Sequence, residues 1–277
     1  MSQIPELPEL QIVDTDSMQP HEDIEEGRSQ RLIRALQTEG FLKNPPAVLR
    51  IEGETEQYVV LDGANRTMAF RKMGFPHMLV QIANEDVQVK SWNHILSQGS
   101  LPPLLEKVRG ITGVELSESD EFRAAAALAR EETIAYLVSP DGETWQLGME
   151  GAGTSEKIRG LSEFVRLFHG NFRRERTTTA NLDGLASLYS DMNCLVVYPQ
   201  FSIGDVVEVV SSGQLFPGGL TRFLISPRAL RVNFPLAMLA DRSPVEEKRR
   251  ILKEWIRQRV EQRRVRYYAE STFVFDE

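Results

Sequence analysis

Tyr58–Gly74 reads YVVLDGANRTMAFRKMG, a short apolar run that ends in an acid, turns on a glycine and opens a helix. Tyr58, Val59, Val60 and Leu61 have high strand propensity, and an unbroken apolar run of this kind fits a strand buried on both faces. Asp62 then stands at its carboxyl end. Gly63 permits a backbone conformation closed to other residues. From Ala64 the spacing of Met68, Ala69 and Met73 predicts one apolar side of a helix, ended by Gly74 and stopped by Pro76.

Two readings of this corner stand on the residues alone. The first amides of a helix lack internal partners and carry partial positive charge, which suits an anion. Gly63 and the amides that follow, with Asn65 and the Arg66 fork, would cradle a phosphate. Asp62 beside them makes sense if a divalent cation sits between acid and anion. The plainer reading is a tight strand-to-helix turn in which Asp62 or Asn65 caps the helix.

Upstream, Leu10–Val13 is expected to be a strand. A helix opens at Glu25 and Glu26, with Leu32, Ile33 and Leu36 at helical spacing and Gly40 closing it. Ala47–Ile51 and Met78–Ile82 read as strands on either side of the central strand Tyr58–Leu61. The result is a compact α/β unit of about 100 residues.

Beyond it, Leu101–Gly110 reads as a linker and short helix broken by Pro102-Pro103. Glu115–Ala129 reads as a helix entered through Ser117 or Ser119. Ala135–Val138 and Thr144–Gly148 read as a hairpin around Asp141-Gly142, and Ser155–Phe168 as an amphipathic helix. Arg173, Arg174 and Arg176 form a basic cluster suited to an anion or to a solvated face. Asn193–Pro199 reads as a buried strand, and Val206–Val210 as a helix or strand. Val245–Val265 reads as a basic helix, either packed through Leu252, Trp255, Ile256 and Val260 or facing DNA.

The corner LDGANR resembles the DGHHR corner of the ParB/sulfiredoxin-like fold. Its neighbours resemble the free L-serine kinases and their siderophore-pathway relatives. The residues that carry this likeness are Pro20-His21-Glu22, LKNPPAVL at Leu42–Leu49, Trp92-Asn93-His94, PGGLTRFLISPRALRVNFPL at Pro217–Leu236, and the tail from Arg266-Tyr267-Tyr268 to FVFDE. Ala64 and Asn65 stand where the family carries two histidines. The tail has Ala269 where the family carries an acid.

The resemblance implies a mixed α/β (α+β) chain, with a ParB/sulfiredoxin-like nucleotide-binding domain over residues 1–100. A mixed α/β domain over residues 101–277 would complete the substrate site. It implies phosphoryl transfer from ATP or ADP, with Mg2+, to the hydroxyl of free L-serine. Glu22 would be the general base and Asp62 the magnesium-side acid. Gly63, Ala64, Asn65 and Arg66 would hold phosphate, and Trp92, His94, Thr221 and Arg222 would hold serine, Arg222 at its carboxylate. Read without the resemblance, Glu22 is a solvated acid in a run of four, Trp92 is core, His94 is surface and Arg222 is a surface ion-pair partner.

The composition is compatible with this class. The chain has 277 residues, 41% hydrophobic and 26% charged, with a formal charge of −8. This field disfavours nonspecific nucleic-acid binding, so a ParB-like DNA-binding regulator is the second reading rather than the first. No GxxxxGK[ST], Gly-rich kinase loop, HExxH or paired CxxC occurs, so phosphate handling falls to the Asp62 corner. The single Cys194 forms no internal disulfide, and the absence of a corner cysteine argues against sulfiredoxin chemistry. MSQIPELPEL lacks the basic region and apolar core of a signal peptide, no long apolar span follows, and a cytoplasmic location is expected.

Overall fold

The structure is a computed structural model that describes residues 6–24, 26–53, 55–84 and 86–268. The chain begins β1 (Leu10–Asp14), β2 (Met18–Pro20), α1 (Glu26–Glu39), β3 (Phe41–Leu42), β4 (Ala47–Ile51), β5 (Gln57–Asp62), α2 (Ala64–Lys72), β6 (His77–Ile82), β7 (Gln88–Ser91) and β8 (Asn93–Ser97). It continues α3 (Leu101–Val108), β9 (Glu115–Ser119), α4 (Glu121–Ala129), β10 (Thr133–Val138), β11 (Thr144–Gly148), α5 (Thr154–Arg166), β12 (Arg173–Thr177), α6 (Leu182–Leu188) and β13 (Met192–Val197). It ends α7 (Ile203–Ser211), β14 (Thr221–Leu224), β15 (Phe234–Pro235), α8 (Leu236–Ala240) and α9 (Val245–Glu261). The mixed α/β class expected from the sequence is observed.

A five-stranded sheet has the order β1-β6-β4-β5-β2, and a six-stranded sheet the order β12-β8-β13-β10-β11-β9. In the first, β2 runs parallel to β5 and β4 antiparallel to it. The central position belongs to β4, and β5 lies one strand in from the β2 edge. The apolar run of β5 is nonetheless buried on both faces. Tyr58 and Val60 join one core with Phe70, Leu236, Leu239 and Leu252. Val59 and Leu61 join another with Leu96, Ile134, Leu161 and Val196 of the second sheet and its helices. Strand alternation therefore makes β5 the seam between two cores.

The two sheets do not follow chain order. β8 lies inside the second sheet, and the carboxyl-terminal β15, α8 and α9 return to the first, β15 pairing with β3. In α9, Leu252 is buried and Trp255 and Ile256 pack beside it. Among its cations, Arg249 pairs with Glu246 on the helix and bonds Ile12 O of β1 and Glu56 just before β5, and Arg257 pairs with Glu254 and Glu261. The helix thus packs through Leu252, Trp255 and Ile256, whereas Val260 is exposed.

Several local expectations change. Glu115–Ser119 is an edge strand, and α4 begins at Glu121, capped by Asp120, which accepts from Arg123 N at 2.9 Å. Asp caps as well as Ser does. Pro102 and Pro103 open α3 rather than break it, because the first turn needs no N–H there. The buried side of α2 is Ala64, Thr67, Ala69 and Phe70, with Met68 and Met73 half-buried. Val206–Val210 is helical, started by the Ser202–Asp205 capping box. Tyr267 and Tyr268, where the family-like tail begins, are exposed and in no strand, and the rest of that tail lies outside the described residues.

Lys248 is the polar pin of α9. It is 1% exposed. Its Nζ donates to His77 Nδ1 at 3.0 Å, to Leu239 O at 3.1 Å and to Asp241 O. Lys248→Met keeps the length but leaves these acceptors unpaired, so a loss of about 1–3 kcal/mol is expected. Urea unfolding should show a lower midpoint at unchanged slope; an unchanged midpoint would contradict this role.

Candidate active site

β5 delivers Asp62 at its carboxyl end, and Gly63 turns the chain with φ +95°. A Cβ on Gly63 would lie 3.0 Å from Pro46 Cβ and 3.1 Å from Arg66 Cζ, so the corner has room only for glycine. Gly63 itself occupies the N-cap position of α2 and offers no side-chain cap. Neither Asp62 nor Asn65 caps the helix. The first-turn amides of Ala64, Asn65 and Arg66 thus have no side-chain cap. Asn65 Oδ1 is buried without a hydrogen-bond partner.

The Asp62 carboxylate is committed to guanidiniums. Its Oδ2 accepts from Arg66 Nη2 at 3.0 Å and from Arg228 Nη2 at 2.6 Å. Burial opposes ionisation of Asp62, but Arg66 and Arg228 outweigh it and hold the carboxyl below its usual range. Arg66 also donates to Asn44 O. Arg228 donates to Gln81 Oε1 at 2.8 Å and to Pro45 O at 2.9 Å. Two guanidiniums against one carboxylate leave the corner net cationic. Arg66, expected as a phosphate fork, is thus shared with Asp62. Arg228 was not singled out in the sequence; its only signal was its place in the Pro217–Leu236 stretch.

Glu22 reaches the same end of the sheet, because β2 runs beside β5 with Pro20 opposite Val60. It is not a solvated acid. Its side chain is 24% exposed, and its Oε2 accepts from Gly219 N at 2.7 Å. The backbone is stitched there too: Phe216 N donates to His21 O at 2.8 Å and Asp23 N to Phe216 O at 3.0 Å. Gly219 has φ +78°, and a Cβ there would lie 1.9 Å from Arg176 Nη2. The basic cluster therefore reaches the loop through Arg176, while Arg173 pairs with Glu175 at 2.6 Å.

Thr221 and Arg222 lie on β14, which pairs with β7, and Trp92 N donates to Leu220 O at 2.8 Å. The Arg222 guanidinium stacks on the Trp92 ring, 4.9 Å from its centroid. Thr221 Oγ1 lies 2.7 Å from His21 Nε2. His94 is fully buried rather than on the surface. Its Nδ1 is 2.9 Å from Tyr198 OH and its Nε2 3.4 Å from Gly219 O. Burial, with the charge of Arg174, lowers its pKa to about 3, so the ring is neutral. His94 thus supports the glycine loop from behind.

Among the described residues no group of three His, Cys, Asp or Glu side chains is placed to hold a metal ion. No helix among them is long and apolar enough to cross a membrane. A solvent-open cavity of about 650 Å³ lies at the opposite edge of the second sheet, near Glu115, Glu132, Gln146 and Glu156, and none of the site residues lines it.

No protein-family model matches the chain. The ATP-dependent L-serine kinase SbnI of Staphylococcus aureus is 25% identical over 241 residues, 87% of each chain. The ATP-dependent L-serine kinase of Staphylothermus marinus is 31% identical over 110 residues, 39% of this chain and 42% of that one. The chain is similar to the L-serine kinases. Solved structures agree in fold. SbnI with a C-terminal truncation superposes with a TM-score of 0.69 at 22% identity, over 91% of this chain and 96% of that one. A glutamate-to-alanine mutant of a free serine kinase, in complex with AMP, gives 0.73 at 17% identity, over 84% and 95%. The kinase likeness thus spans both sheets.

The buried histidines give a pH signature. Burial lowers the pKa of His94 from 6.5 to about 3, so protons bind the unfolded chain first. Its contribution is complete above pH 6.5 and is lost as pH falls from there toward about 3, at up to about 1.4 kcal/mol per pH unit. His94→Gln should therefore lose less stability than the wild type between pH 6.5 and 5, read by urea midpoints. Parallel slopes would contradict the assignment.

Proposed function

We propose that this chain is an L-serine kinase that moves the terminal phosphoryl group of ATP or ADP to the hydroxyl of free L-serine, giving O-phospho-L-serine. The observation that supports it most is the meeting of two differently held carboxylates at one end of the parallel pair β2 and β5. Glu22 is anchored by one oxygen to the Gly219 amide, and Asp62 by one oxygen to two guanidiniums. This pair lies in a chain similar over most of its length to kinases of that name.

The geometry supports the roles that the resemblance implies. Glu22 Oε2 is fixed by the Gly219 N–H, which leaves Oε1 to accept the serine hydroxyl proton as the Oγ–P bond forms. The bond between the terminal phosphorus and its bridging oxygen breaks, and ADP or AMP departs. The amides of Ala64, Asn65 and Arg66, with the Arg66 and Arg228 guanidiniums, would stabilise charge on the transferred group. Phosphoryl transfer is mostly positioning and charge stabilisation, so this set is chemically sufficient. Arg222, flattened on Trp92, would present its fork to the serine carboxylate, beside Thr221. His94 would act through Gly219 as a positioning residue.

The donor set also fits a phosphate-held Mg2+, which needs only one or two protein carboxylates. Both guanidiniums bond Asp62 Oδ2, and the side chain is half-exposed. Asp62 Oδ1 would hold the ion, which neutralises phosphate oxygens when bound.

Incubation of the full chain with Mg2+, L-serine and either ATP or ADP, followed by mass detection of phosphoserine, tests the activity. Serine-dependent product is expected, with Glu22→Gln and Asp62→Asn each lowering kcat at least about 100-fold. No phosphoserine from either nucleotide, or full activity in Glu22→Gln, would overturn the proposal.

A further inference from the structure

His21 is the buried residue at which three parts of the site meet, and nothing above gives it a task. It is 2% exposed and follows β2 directly. Its Nδ1 lies 2.6 Å from Val60 O, two residues before Asp62. Its Nε2 lies 2.7 Å from Thr221 Oγ1 on β14 and 3.9 Å from Glu22 Oε2. The ring meets Phe223 edge-on, with centroids 4.9 Å apart. The strand that ends in Asp62, the loop that carries Glu22 and the strand that carries Thr221 and Arg222 are thus joined through one imidazole.

The hydrogen-bond chemistry fixes where the protons lie. A backbone carbonyl only accepts, so Nδ1 must carry the hydrogen. In the neutral ring Nε2 is then an acceptor, and the group facing it is the Thr221 hydroxyl, which must donate. Thr221 has one proton, and it is spent on His21. To any further group Thr221, itself 8% exposed, therefore offers lone pairs alone, and it receives a donor.

We propose that His21 is a positioning residue for the transfer reaction, holding Thr221 as an acceptor toward the substrate and tying it and Glu22 to the phosphate corner. The proposal rests on the L-serine kinase reading and specifies its substrate side: the group that meets Thr221 is the ammonium of serine, neither its carboxylate nor the hydroxyl whose one proton goes to Glu22. The neighbouring Arg222 is left for that anion. The assignment also accounts for a histidine where a simple core residue would fill the space, because a two-ended side chain is needed to bridge a carbonyl on one strand and a hydroxyl on another.

Two measurements on the full chain test it. First, long-range proton–nitrogen NMR of the imidazoles at pH 7.5 should show His21 as the Nδ1–H tautomer with a bare Nε2. An Nε2–H tautomer or a doubly protonated ring would overturn the proposal, whatever the enzyme phosphorylates. Second, in the phosphoserine assay, His21→Asn keeps a donor for Val60 O but removes the acceptor for Thr221. It should lower kcat/KM for L-serine at least tenfold while AMP affinity stays within threefold. Thr221→Val should lose a similar factor, and the double variant should be no worse than threefold below either single one. His21→Gln, whose amide oxygen reaches toward the Nε2 position, should recover part of the loss. Losses that multiply in the double variant, or an AMP affinity that falls with them, would show a merely structural histidine and overturn the proposal. A wild-type chain that makes no phosphoserine would instead remove the kinase reading and leave the NMR result to stand alone.

Discussion

The Asp62 carboxylate holds two guanidiniums from opposite ends of the chain, Arg66 four residues on and Arg228 at a separation of 166. The first contact is local and comes with the strand-to-helix turn. The second draws the Pro217–Leu236 return across the first sheet, where Arg228 also grips Gln81 and Pro45 O. One charged knot therefore fixes the strand-to-helix corner to the Pro217–Leu236 return. Charge balance explains its form. A lone carboxylate beside bare helix amides would repel phosphate, whereas one flanked by two arginines leaves a net cationic site and orients both forks.

The same return places the other half of the site. Ten residues before Arg228, the Gly218-Gly219 turn delivers an amide to Glu22, and β14 then carries Thr221 and Arg222 along β7. Gly219 is crowded by Arg176 on one side and supported by His94 on the other. Side chains of the second sheet thus shape a loop that serves the first. The seam strand β5 explains why this works mechanically: its alternate residues belong to two cores, so its carboxyl end is held from both faces.

The sequence made the corner legible because its signals are local. An apolar run, an acid, a glycine and helical spacing each report on a few neighbouring residues, and the boundaries of β4, β5, β6 and α5 fall close to where the pattern places them. Edge strands were harder: Glu115–Ser119 and Arg173–Thr177 are polar, and their strand character comes from partners on β11 and β8. The burial of His94 and the function of Arg228 are also products of tertiary contact. No spacing rule links Arg228 to Asp62, and a histidine between Asn93 and Ile95 carries no local sign that Tyr198 will meet it. The resemblance pointed to Glu22, Thr221 and Arg222, while the contacts of His21 with Thr221 and of Gly219 with Glu22, and the closeness of Arg176 to Gly219, come from the geometry.

In the proposed reaction the terminal phosphate of an adenine nucleotide sits between the α2 amides and the two guanidiniums, with Glu22 facing it across the serine hydroxyl. A crystal structure of the full chain with ADP and L-serine measures this directly. The nucleotide's outer phosphate is expected within hydrogen-bond reach of the Asn65 and Arg66 amides and of Arg228, and the serine hydroxyl against Glu22. Nucleotide bound elsewhere, with the Asp62 corner holding only water, would contradict this arrangement.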